Sequence, residues 1–337
     1  MNDHQTFEPG DVLLQSGMTY RNAKLAYKTY GELNADRSNA ILLATAFTAQ
    51  HADFEWWIGN GQALDPERYF IVIPNLFGNG LSSSPSNAPV PFNAGRYPNF
   101  TIYDNVKLQH RLVTEVLQIP RLKLALGWSM GGQQAYHWAV MFPDAVECMA
   151  AICASARTSH HNFVFLEGVK AALTADSAYR DGWFAEQPVK GLRAMGRVYA
   201  GWGLSQAFYR EKLWTAMGAS SLEDFLVSRW EGNYLRRDAN NILAHIWSWQ
   251  HADISANPEY GGDLHRALGA IKARVLLMPG ETDLYFPVAD NEIEARYMAH
   301  AELRPIPSIW GHRAGNNMFD SKDFHYVEEA LKALLQA

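Results

Sequence analysis

The sequence predicts an α/β fold: a mostly parallel central sheet flanked by helices, with a helical cap inserted into it. Three features predict this. Short apolar, strand-like runs alternate with helix-spaced segments from residue 40 to residue 153, as right-handed crossovers between parallel strands require. From residue 154 to residue 266 the pattern changes to helical segments rich in Trp, Tyr and Met, with no convincing strand. Alternation of strand and helix returns from Arg274 onward. The expected division is a core of residues 1–153 and 267–337 and a cap of residues 154–266.

Residues 11–32 alternate apolar and polar side chains in two runs around a turn, the pattern of a leading antiparallel pair. Residues 40–45 read as a buried strand followed by a loop at 46–49, and residues 69–74 as another strand. The stretch 75–98, rich in Gly, Ser and Pro, is too long for a plain connection and is expected at the rim of a site. Thr101 and Asp104 open a helix that runs to Leu117. Residues 122–126, apolar apart from Lys123, suit a strand buried on both faces, and residues 133–142 have helical spacing. Cys148 and Cys153 then fall in one further apolar strand, too close to pair comfortably. Beyond the cap come a strand at 274–278, a loop at 279–287, a helix to about His300, a strand at 302–306, a loop holding His312 and a final helix from Ser321.

At 337 residues and 48% hydrophobic composition, the chain has ample material for a full core. Net charge is -6 and no run of Lys or Arg marks a phosphate-tracking surface, so nucleic acid is not expected as a partner. The first residues, MNDHQTFEPGDV, have neither a basic start nor an apolar stretch, and no segment is long enough to cross a bilayer. A cytoplasmic protein without a membrane partner is expected.

Between the strand at 122–126 and the helix at 133–142 lies Gly127-Trp128-Ser129-Met130-Gly131, a G-x-S-x-G followed by Gly132. Small residues two before and two after a serine are what a sharp strand-to-helix turn needs, because its strained backbone leaves no room for side chains. Such a turn lifts the Ser129 hydroxyl to a helix N-terminus, where unpaired N–H groups favour developing negative charge. A serine hydroxyl becomes an effective nucleophile when a base removes its proton and an acid orients that base. In the α/β-hydrolase order the acid and then the base follow the serine. Asp283 is preferred to Glu281 in the Gly280-Glu281-Thr282-Asp283 loop, because a short carboxylate three residues beyond the glycine suits a fixed bond to a histidine. Asp290 starts the next helix and reads as a cap or first-turn charge. Of His300, His312 and His325, the histidines beyond Asp283, only His312 occupies a loop after the last strand, so it is the expected base. The backbone N–H groups of Met130 and Phe47 are the expected oxyanion donors. His160 and His161 read as a polar loop pair, and His245 and His251 as residues of cap helices. Neither H-E-x-x-H nor H-x-x-E-H spacing occurs, so no metal is expected.

From the Tyr27 region to the end, the chain resembles the homoserine O-acetyltransferase family, a branch of the α/β hydrolases. The resemblance rests on Ala26-Tyr27-x-Thr29-Tyr30-Gly31, Asp65-x-x-Arg68-Tyr69-Phe70, Asn75-Leu76-Phe77-Gly78, Thr101-Ile102-x-Asp104 and Ser129-Met130-Gly131-Gly132-Gln133-x-Ala135. It also rests on Arg237-Asp238-Ala239-Asn240, Asp283-x-x-Phe286-Pro287 and Gly311-His312. The resemblance implies acyl transfer from coenzyme A to a hydroxyl through an acyl-serine. It implies Ser129, Asp283 and His312 as catalytic residues, Phe47 and Met130 as the oxyanion hole, and Arg197 as an arginine facing the substrate carboxylate. Three departures stand against homoserine. Arg313 follows the histidine where the family has an aspartate, and a guanidinium repels a bound ammonium. Leu204 lies near the place of a family tyrosine, and the loop at 45–49 does not begin with the family's histidine.

The expected activity is therefore acyl transfer by a serine nucleophile, with hydrolysis of a small ester, thioester or amide favoured over CoA-dependent O-acetylation of a small hydroxylated acceptor. With Arg197 and Arg313 both near the pocket, an acidic substrate is one expectation. The alternative is that Arg313 points to solvent or pairs with a carboxylate such as Asp238. A non-catalytic ligand-binding relative is the reading from a different class. The expected partner is a small-molecule substrate, with no bound cofactor and acyl-CoA only as a donor substrate. The aromatic cap helices are also of a kind that supports a homodimer.

Overall fold

The computed structural model describes residues 3–317 and 319–336. Strands β1 (Gln5–Leu13) and β2 (Thr19–Tyr30) form the leading antiparallel pair, and β2 lies antiparallel to β4 (Phe70–Pro74). The sheet then continues in parallel through β3 (Ala40–Ala44), β5 (Leu122–Trp128), β6 (Val146–Ile152), β9 (Arg274–Met278) and β10 (Ala301–Leu303). The central strands bury both faces: all of β3, and all of β5 and β6 apart from Lys123 and Glu147. These two charged residues pair with each other at the strand ends, 2.6 Å apart. This explains why the central strands read as continuous apolar runs while β2 alternates.

Helix α1 (Ile102–Arg111) starts at Thr101, whose hydroxyl accepts the Asp104 N–H at 3.1 Å while the Asp104 carboxylate accepts the Thr101 N–H. It runs on through a wider turn, Leu112–Val116. Helix α2 (Met130–Met141) follows β5 and is buried on almost every side, with Tyr136 and Trp138 fully enclosed. Next come α3 (His160–Thr174), a small hairpin of β7 (Tyr179–Arg180) and β8 (Trp183–Phe184), α4 (Val189–Gly203) and α5 (Gln206–Arg210). Helices α6 (Leu222–Phe225) and α7 (Gly232–Leu235) are joined by a wide turn at Leu226–Glu231 and followed by α8 (Ala239–Gln250) and α9 (Leu264–Gly269). After β9 and β10 come α10 (Val288–Ala295) and α11 (Ser321–Gln336) respectively.

Three local expectations are corrected. The β7 and β8 hairpin is too short to show a strand pattern, yet it pairs Tyr179 with Phe184 inside the helical block. His160 and His161 begin α3 rather than sitting in a loop. The stretch 75–98 does not line the cavity described below: residues 75–85 turn inward, with Asn75, Asn79, Ser82 and Ser84 buried as hydrogen-bonding braces, while residues 86–96 are exposed or half-buried. Asn75 Oδ1 accepts the His51 N–H at 3.0 Å, and Asn79 Nδ2 donates to the Ala49 carbonyl at 3.0 Å, so this polar stretch holds the segment after β3 from below.

Parallel strands bring their carboxyl ends to one edge, where α/β sheets place their sites. Here the ends are level: Ala44 lies beside Gly127, Trp128 beside Ile152, and Ile152 beside Met278. The chain segments leaving β3, β5, β9 and β10 at this edge carry Phe47, Ser129, Asp283 and His312.

Candidate active site

Ser129 sits between β5 and α2 with φ 60° and ψ -130°, a backbone conformation that non-glycine residues adopt only when their surroundings enforce it. The glycines around it make this turn possible. A Cβ on Gly127 would lie 2.0 Å from the Gly131 carbonyl carbon, and one on Gly131 would lie 2.5 Å from the Ala44 carbonyl oxygen. The Ser129 N–H donates to the Ile152 carbonyl at 2.8 Å, fixing the turn to β6.

His312 and Asp283 converge on this hydroxyl. His312 Nε2 is 2.7 Å from Ser129 Oγ, and His312 Nδ1 is 2.6 Å from Asp283 Oδ2. An ionised carboxylate only accepts, so Nδ1 carries the proton and bare Nε2 is left to accept from the serine hydroxyl. Asp283 Oδ1 accepts the Tyr285 and Phe286 N–H groups, each at 3.1 Å, so both carboxylate oxygens are engaged. Glu281 is exposed, and Asp290 occupies the first turn of α10. Thr282 ties the two loops together: its hydroxyl donates to the Ser308 carbonyl at 2.8 Å and accepts the Gly311 N–H at 3.0 Å.

Burial lowers the His312 pKa below the ordinary 6.5, and the Arg313 charge acts in the same direction while Asp283 opposes both. Trp128 stacks on the imidazole with ring centres 5.1 Å apart, and Phe286 stacks at 5.6 Å. The ring is thus held neutral, enclosed and aimed. Cys153, Asp283 and His312 have potential ligand atoms within 4.8 Å of one another and could offer a metal three donors. Burial raises the Cys153 thiol well above its ordinary range, disfavouring the thiolate a metal would bind.

Ser129 and His312 line a cavity of about 690 Å³ together with Phe47, Trp128, Tyr199, Leu204, Met217, Phe225, Trp230 and Tyr234. Among the described residues, the N–H groups of Phe47 and Met130 donate to no protein acceptor. The loop at Phe47 is braced from α2, where Gln134 Nε2 donates to the Thr45 carbonyl at 2.6 Å.

The two arginines separate. Arg197 does not line the cavity: on α4 it turns outward, its Nε 2.5 Å from Glu231 and its guanidinium also paired with Glu223. Two carboxylates pair with it, so it is not placed to present its guanidinium to the cavity as the resemblance implied. Arg313 does line the cavity. Its guanidinium lies 5.3 Å from the Trp128 ring centre and 5.7 Å from those of Trp230 and Phe319, without an ion pair to Asp238 or another carboxylate among the described residues. Asp238 instead caps α8, accepting the Asn241 N–H at 2.9 Å. Arg237 reaches Asp53 at 3.0 Å on the cavity wall, and Asn240 bonds both backbone groups of Phe184. Sequence reasoning did not find Trp128, Trp230 or Thr282 as site residues. For Trp128 the signal was present, since it directly precedes the serine.

The sequence matches the α/β-hydrolase fold family over residues 39–308. The chain belongs to that family. This α/β hydrolase is 38% identical to an ethyl acetate hydrolase of Pseudomonas veronii over 95% of its own length and 93% of the relative's. It is 34% identical to a homoserine O-acetyltransferase of Zymomonas mobilis over 87% and 85% of the two chains. The crystal structure of an acetylester hydrolase from Corynebacterium glutamicum superposes with a TM-score of 0.95 at 35% identity, covering 99% of this chain and 96% of that one. With such relatives, this α/β hydrolase is an enzyme of the serine hydrolase or acyltransferase kind. No helix among its described residues is long and apolar enough to cross a membrane.

Proposed function

We propose that the protein hydrolyses small esters through an acyl-enzyme on Ser129. The observation that carries this reading is the unbroken line from Asp283 through His312 to Ser129, with contacts of 2.6 and 2.7 Å, at the floor of an aromatic cavity. Ser129 Oγ attacks the ester carbonyl as His312 Nε2 takes its proton. Asp283 holds the imidazole and stabilises its charged form, and the Met130 and Phe47 N–H groups receive the oxyanion. His312 then protonates the departing alcohol oxygen. Water attacks the acyl-serine, giving one proton to His312, which returns it to Ser129 as the acid leaves. The block 154–266 serves as a cap whose aromatic residues close the acyl pocket, and the similarity of the whole chain to ester hydrolases supports water as the acceptor.

A second reading, acetyl transfer from acyl-CoA to a small hydroxylated acceptor, is supported by the resemblance to homoserine O-acetyltransferases. Product analysis separates the two. Free acid formed from ethyl acetate or another simple acetate ester alone supports hydrolysis. Turnover of acetyl-CoA only when a hydroxyl acceptor is added would replace the first reading by the second.

A further inference from the structure

We propose that His245, on α8 of the helical block, is a positioning residue that holds the Phe47 and Thr48 loop for oxyanion capture. The inference rests on the reading of Phe47 as an oxyanion donor. His245 is fully enclosed and lines none of the cavity, and the acyl-transfer steps do not use it. Both of its nitrogens are nevertheless committed. The Thr48 N–H donates to His245 Nδ1 at 3.0 Å, and His245 Nε2 lies 3.1 Å from the Phe77 carbonyl oxygen. An amide N–H only donates and a carbonyl only accepts, so one tautomer satisfies both: Nδ1 bare, Nε2 protonated. Burial depresses its pKa to about 4, so this neutral tautomer persists through ordinary working conditions.

The contact matters because of what Thr48 is. It is a β-branched residue with φ 56°, in the left-handed region that such side chains avoid unless held there. Its peptide plane is the one that follows Phe47. Fixing the Thr48 N–H therefore fixes Phe47 from its carboxyl side, while the Ala49 N–H closes the turn on the Ala46 carbonyl at 3.0 Å. The far end of the clamp is rigid as well. The Phe77 N–H donates to Asn105 Oδ1 on α1 at 2.9 Å, and Ser248, on the same helix as His245, donates to the Phe100 carbonyl at 2.6 Å. Gly78 leaves space for the ring: a Cβ there would stand 2.8 Å from His245 Cδ2. One imidazole thus joins the helical block, the loop after β3 and the loop after β4.

Misplacing an oxyanion donor costs rate in the transition state and leaves ground-state binding alone. Three variants test the clamp: His245→Leu, which has neither contact; His245→Asn, whose Oδ1 can replace Nδ1 toward Thr48; and His245→Gln, whose longer amide can replace Nε2 toward Phe77. For each, kcat and KM are measured with an aryl acetate, along with the inhibition constant of a trifluoromethyl ketone, whose serine adduct carries an oxyanion. The Leu variant is expected to lose about 10- to 100-fold in kcat with KM within about twofold, and to bind the ketone more weakly by a similar factor. The Asn variant should recover most of that loss and exceed the Gln variant, an order that is tested even if the Leu variant does not fold. Unchanged kcat and ketone affinity in a folded Leu variant, a kcat loss without a loss of ketone affinity, or a Gln variant equal to or better than Asn would overturn the inference. Failure of the underlying function reading would appear separately, as ester turnover persisting in Ser129→Ala.

Discussion

Glu294→Gln isolates a fully buried carboxyl that has three hydrogen-bond donors and no paired cation among the described residues. Its Oε2 accepts from the Tyr136 hydroxyl at 2.6 Å and from Asn291 Nδ2 at 2.8 Å, and its Oε1 accepts the Ala156 N–H at 2.7 Å. These bonds tie α2, the helix that follows Ser129, to α10 and to the chain leaving β6. Burial raises its pKa from the ordinary 4.5 to about 7, with the three donors opposing that rise. Because the folded pKa lies above the unfolded one, the stability this group contributes is fully present below pH 4.5 and is lost as pH climbs through about 7. At about 1.4 kcal/mol per tenfold change in proton affinity, the loss approaches roughly 3 kcal/mol. The glutamine variant does not titrate, so it should lack this slope. At pH 5 it should be less stable than wild type by about 1–3 kcal/mol, since its NH₂ must face a neighbouring donor, and by pH 8 the gap should close or reverse. Urea unfolding at the two pH values measures this. Parallel changes in wild type and variant between pH 5 and pH 8 would refute the reasoning.

Three further substitutions probe the site itself. Gly131→Ala places a methyl group 2.5 Å from the Ala44 carbonyl oxygen and should destabilise the turn by about 1–3 kcal/mol, read as a fall in Tm together with slower fluorophosphonate labelling of Ser129. Asp283→Asn removes the charge that orients His312 and should lower kcat by about 10³- to 10⁴-fold with little change in KM, measured with an aryl acetate. Arg313→Gln removes a cation that lowers the His312 pKa, so the acid limb of the pH–rate profile should move to higher pH. In the same variant, a changed preference between carboxylated and neutral esters would assign an acidic substrate to Arg313, and an unchanged preference would remove that expectation.

What the sequence made legible follows from where the information lies. The elbow could be read because three glycines at fixed offsets admit one kind of backbone, and those offsets now correspond to approaches of 2.0–2.5 Å. Asp283 could be put forward because it follows the buried strand β9, and His312 because it lies in the loop after the last strand, and strand ends in a parallel sheet converge at one edge. Arg197 could not be placed. Whether it faced the cavity depended on the rotation of α4 and on Glu223 and Glu231, which belong to segments whose packing leaves no local signature. The segment 75–85 misled for a related reason: its Asn and Ser residues look solvent-facing in sequence, but here they replace secondary structure as partners for buried backbone groups. The clamp at His245 was equally hidden, since its two partners lie 197 and 168 residues away along the chain.

The central claim is that Ser129 carries the acyl group, and the most direct measurement is intact and peptide mass spectrometry of a His312→Asn variant quenched after incubation with an aryl acetate. One added acetyl group on the peptide bearing Ser129, absent in a Ser129→Ala, His312→Asn double variant, is the predicted result. An acetyl group on another residue, or ester hydrolysis at the wild-type rate in Ser129→Ala, would contradict the account.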